Sequence, residues 1–86
     1  MRYFKMEKLQ QYFGKYDLPQ DPDKYFSAVV NIAMRDYNLP VKDIAEKCGC
    51  SFPTVERWAK GINTPYRLMQ PKVLELIVEL IEKQPK

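Results

Sequence analysis

The chain is predicted to be all-α: a compact four- to five-helix domain with a central helix-turn-helix and an additional N-terminal helical segment within residues 1–20. Three observations predict this. Apolar residues recur at three- and four-residue spacing in successive blocks, and no stretch alternates as a half-buried strand would. Proline and glycine punctuate the ends and first turns of those blocks rather than their interiors. The 86 residues are 45% apolar, enough for one modest core in a single domain spanning 1–86.

In chain order, Met6, Leu9, Phe13 and Tyr16 predict a short helix over about 5–16, with Gly14 weakening its end. Residues 17–21 form a loop around Pro19. Asp21-Pro22 then starts a second helix, because an aspartate caps orphan amides and proline suits a first turn. Phe26, Val29, Val30, Ala33 and Tyr37 share its stripe, and it ends near Asn38, since Pro40 disfavours helix at Leu39. A third helix covers about 41–47. A fourth covers 52–60, capped by Ser51, tolerating Pro53 in its first turn and stopped by Gly61. After a connection containing Pro65, a last helix runs over about 71–83.

The net charge of +3 permits nucleic-acid binding without demanding it. Its distribution says more: residues 1–20 carry +2 and residues 41–67 carry +2, while 21–40 carry −1 and 68–86 are neutral. No apolar run approaches the roughly 20 residues that span a bilayer, and the amino terminus lacks the pattern of a secretory signal. The expectation is a soluble cytoplasmic protein that does not engage a membrane.

Residues 44–61 carry the functional signal. Two short helices joined at Gly49 hold one helix as a strut and push the next outward, the geometry that lays a helix in the DNA major groove. Ile44, Ala45, Cys48, Cys50, Val55 and Trp58 converge on the angle between them, and Gly49 supplies a left-handed turn. Glu56, Arg57 and Lys60 are left facing outward, with Phe52 and Pro53 at the leading end. Cys48 and Cys50 cannot complete a four-ligand zinc site in a chain without histidine, and a disulfide across so short a loop would be strained, so they are read as free, buried thiols. No histidine, phosphate-binding glycine loop or paired carboxylates in a pocket argue for an enzyme, and no cofactor, metal or small-molecule ligand is called for.

Leu39, Ile44-Ala45, Gly49, Ser51, Thr54-Val55, Arg57-Trp58, Gly61 and Pro65, spanning residues 39–65, resemble the lambda repressor and Cro-like (Xre-type) helix-turn-helix family. The resemblance implies an all-helical domain of lambda repressor-like type that binds double-stranded DNA, usually as a dimer, and regulates transcription. It implies base readout by Arg57, Phe52, Pro53 and Glu56. Backbone contacts would come from Val41, Lys42, Ser51, Thr54, Lys60, Asn63, Thr64 and Arg67. Val41 and Phe52 depart from the family, which often places glutamine or another polar side chain there. At those positions a backbone amide can still meet a phosphate, and Phe52 offers an apolar contact to a thymine methyl. Arg57 is therefore the first choice for reading a base, and Glu56 either accepts from cytosine or pairs with Lys60 one turn on.

On the last helix, Val73, Leu74, Leu76, Ile77, Val78, Leu80 and Ile81 occupy an arc of about 200°. That width predicts a homodimer interface built on Val73, Leu74, Ile77, Val78 and Ile81, joined by the aromatics Tyr3, Phe4, Tyr12 and Phe13. The other reading packs these two segments together within one monomer. An interaction module using the apolar last helix to bind another protein is the alternative to a DNA-binding regulator of a palindromic operator.

Overall fold

The computed structural model describes residues 6–84, which form five helices: α1 (Met6–Phe13), α2 (Pro22–Arg35), α3 (Val41–Cys48), α4 (Phe52–Lys60) and α5 (Gln70–Glu82). Among the described residues there is no strand, and no helix is long and apolar enough to cross a membrane.

The boundaries follow from local chemistry. Asp21 caps α2 by accepting from the Lys24 amide at 3.1 Å, with Pro22 in the first turn. That helix ends at Arg35, three residues before the expected end, because Asn38 adopts a left-handed conformation (φ 58°) and turns the chain so that the Leu39 amide returns to the Ala33 carbonyl at 3.1 Å. α1 likewise stops at Phe13, short of Tyr16.

The core gathers Leu9 and Phe13 of α1, Phe26, Val29, Val30, Ile32 and Ala33 of α2, Leu39 of the turn before α3, Ile44 and Ala45 of α3, Val55 and Trp58 of α4, and five side chains of α5. α2 packs on α4 and α5, α3 packs on the same two helices, and α1 lies against α5. Phe26 meets Trp58 edge to face at 5.5 Å between ring centres, locking α2 to α4.

This packing corrects the expected dimer face. Val73, Leu74, Ile77, Val78 and Ile81 are all buried in the chain's own core. α5 is flanked by α1 on one side and by α2 and α3 on the others, which covers these five side chains within the chain and leaves Leu76 and Leu80 half-buried. Phe13 is buried and Tyr12 half-buried against the same core, with Lys8 of α1 paired to Glu82 of α5. Tyr3 and Phe4 lie outside the described residues.

Candidate nucleic-acid interface

The turn between α3 and α4 is closed by a six-to-one hydrogen bond. Gly49 takes a left-handed conformation (φ 73°), which lets the Cys50 amide reach the Ala45 carbonyl at 3.0 Å. Gly61 (φ 76°) repeats the motif at the end of α4, where the Ile62 amide reaches the Arg57 carbonyl at 3.0 Å. At the start of α4, Ser51 Oγ accepts from the Thr54 amide at 3.3 Å and lies 2.8 Å from Thr54 Oγ1. One hydroxyl hydrogen joins those two oxygens, leaving the other free to donate outward. α4 is thus capped at both ends and anchored by buried Val55 and Trp58.

Its opposite side projects. Pro53, Glu56, Arg57 and Lys60 are exposed, and Phe52 is 46% exposed, an unusual setting for a phenylalanine. Among the described residues, Lys42, Glu56, Arg57 and Lys60 make no ion pair, so the Glu56–Lys60 pair expected from helical spacing does not form. At the start of α3, Pro40 provides no side-chain cap; Val41 is half-buried and Lys42 exposed.

α2 borders this face with residues that its apolar stripe had not marked. A groove of about 380 Å³ between α2 and α4 is lined by Asn31, Met34, Arg35, Glu56, Ala59 and Lys60. A larger cleft of about 580 Å³ continues along α2 past Lys24 and Ser27 to Asn63 and Thr64 in the connection after α4. Asn31 Nδ2 donates to the Ala59 carbonyl at 3.4 Å across the groove. Nothing in the residue pattern could have shown this, because it depends on how closely α2 and α4 approach.

Arg67 stands apart from the other expected backbone contacts. Asp23 holds its guanidinium at 3.3 Å and also accepts from Gln70 Nε2 at 2.8 Å, and these two donors, Gln70 first, hold the Asp23 carboxyl below its usual range. Arg67 therefore ties the connection to α2. Arg35 is similarly engaged by Asp36 at 2.8 Å.

Comparison with protein-family models, with curated proteins and with solved structures gives no match. The chemistry of the face has to be read from its own residues.

Cys48 and Cys50 are free thiols, half-buried against the core. Burial, and then the neighbouring Cys50, pushes the Cys48 thiol up to about 11, and burial raises Cys50 as well. Both are protonated at neutral pH, so they contribute packing rather than a reactive thiolate.

Proposed function

We propose that the protein is a cytoplasmic, sequence-specific regulator that binds double-stranded DNA as a dimer, laying α4 of each subunit in the major groove of one half of a palindromic operator. The observation that carries this reading is the two-sidedness of α4. Val55 and Trp58 fix one side in the core, and the other side holds out Phe52, Pro53, Arg57 and Lys60 with two cations unpaired among the described residues. The resemblance of residues 39–65 to the lambda repressor and Cro-like family supports the same reading. In it, Arg57 reads guanine and Phe52 meets a thymine methyl. Lys42, Lys60, Asn63, Thr64 and the hydroxyls of Ser51 and Thr54 meet phosphates, as do the uncapped amides at Val41. Glu56 lies toward α2, in a groove it shares with Lys60, whose charge offsets its repulsion of phosphate.

The alternative, a module binding another protein through the apolar side of α5, would have the half-buried Leu76 and Leu80 to offer, since Val73, Leu74, Ile77, Val78 and Ile81 are buried.

Titrating duplex DNA at several salt concentrations tests the proposal. Arg57→Ala is expected to remove about 1–3 kcal/mol of discrimination at one base pair per half-site. Lys60→Ala is expected to weaken all sequences alike and flatten the salt slope by about 1. Binding that is insensitive to salt and to both substitutions contradicts the proposal.

A further inference from the structure

Among the described residues, four large apolar side chains outside the recognition helix face solvent, and all four fall between residues 62 and 69: Ile62 is 67% exposed, Tyr66 85%, Leu68 94% and Met69 50%. They do not sit on a loose loop. The segment leaves α4 through the hydrogen-bonded turn at Gly61, and the Met69 amide donates to the Tyr66 carbonyl at 2.8 Å. Buried Gln70 ties it down by donating to the Pro65 carbonyl at 3.2 Å and to Asp23 at 2.8 Å. The backbone is pinned from within while its apolar side chains are held out, an arrangement that lowers the ordering cost of binding.

We infer that Ile62, Tyr66, Leu68 and Met69 form the face on which a second copy of this chain docks. Three observations select that occupant. Exposed this far, the four residues offer a largely apolar surface on the order of several hundred Å², the size at which a patch marks an interaction site and a large share of the roughly 800 Å² per partner that a stable interface buries. Arg67 is the one charged side chain across residues 61–71, and Asp23 neutralises it, so two identical patches meet without like-charge repulsion. A phosphate backbone or an acidic partner would instead call for unpaired cations. Finally, the patch begins two residues beyond α4 and adjoins the recognition face through Asn63 and Thr64. A two-fold axis through this patch joins two copies of α4 in one dimer, as reading two half-sites requires. This last point rests on the DNA-binding reading; the exposed surface and its neutrality do not.

Sedimentation equilibrium without DNA tests the inference, with Leu68→Asp as the variant. Because Leu68 touches almost nothing within the subunit, the variant is expected to keep the wild-type circular dichroism and melting temperature. Its dimer should dissociate roughly 100-fold more readily, or be lost, since the two-fold axis counts the substitution twice. A wild type that is monomeric up to its solubility limit overturns the inference, and so does a variant that dimerises as well as wild type. Duplex titrations separate the two proposals. A monomer that binds duplex leaves the DNA reading standing and removes this face, whereas a dimer that ignores duplex does the reverse. Equal loss of affinity for a half-site and for a palindrome would place the patch on DNA and also overturn the inference.

Discussion

The α3–α4 pair and the α1–α5 pair are both made of amphipathic helices of ordinary length, yet they are held in different ways. Short-range devices shape α3–α4: a serine cap, a proline in the first turn and two left-handed glycines. The α1–α5 pair depends on contacts between residues some seventy positions apart, such as Lys8 and Tyr12 with Glu82. Local chemistry decides where α4 begins and ends. Long-range packing decides which apolar surface remains for a partner.

The largest expected effect breaks the α5 side of that comparison. Ile77 is fully buried, so Ile77→Asp places an unpaired charge in the core and costs about 4 kcal/mol or more. Thermal melting is expected to show an unfolded or nearly unfolded chain; a folded monomer would mean that α5 faces a second subunit after all.

The local side has a smaller, sharper test. A Cβ at Gly49 meets nothing within 4 Å, so Gly49→Ala carries only the left-handed backbone penalty of about 1–2 kcal/mol. Urea denaturation should register that loss without a change in slope. A neutral result would mean that the turn does not rely on its glycine.

The weakest link tested is the tie from the end of α1 to the end of α2. Tyr16 donates to Asp36 at 2.6 Å, and Asp36 also engages Arg35. Arg35 first and Tyr16 second hold the Asp36 carboxyl down at about 2, while the bond to Asp36 raises the Tyr16 hydroxyl to about 12. A depressed carboxylate stabilises the fold fully above its unfolded value near 4, and that contribution disappears as pH falls toward 2. The raised tyrosine contributes below its unfolded value near 10 and loses that contribution between about 10 and 12. Melting temperature against pH should therefore fall less steeply below 4 for Asp36→Asn than for wild type; superimposable acid limbs contradict the link.

The same contrast explains what was legible in the residues alone. α4 runs from Phe52 to Lys60 as expected because Ser51, Pro53 and Gly61 act on their immediate neighbours. α2 ends early because Pro40 forbids helix only at Leu39, and the left-handed Asn38 that actually turns the chain carries no such mark. The breadth of the apolar arc on α5 was legible, but a helical wheel does not say how many helices will cover it. The α2 wall of the groove, with Asn31 and Arg35, and the withdrawal of Arg67 to Asp23 arise from the approach of distant elements, so they became visible only in three dimensions. The outward set Phe52, Pro53, Glu56, Arg57 and Lys60 was legible because capping and burial leave those side chains nowhere else to point.

Selection of bound duplexes from a random DNA pool tests the central claim most directly. The proposed role of α4 predicts enrichment of a two-fold symmetric site with half-sites about one helical turn apart. It also predicts that Arg57→Ala relaxes one position in each half while the protein stays folded. A pool that is not enriched, or a wild-type site unchanged by Arg57→Ala, would contradict it.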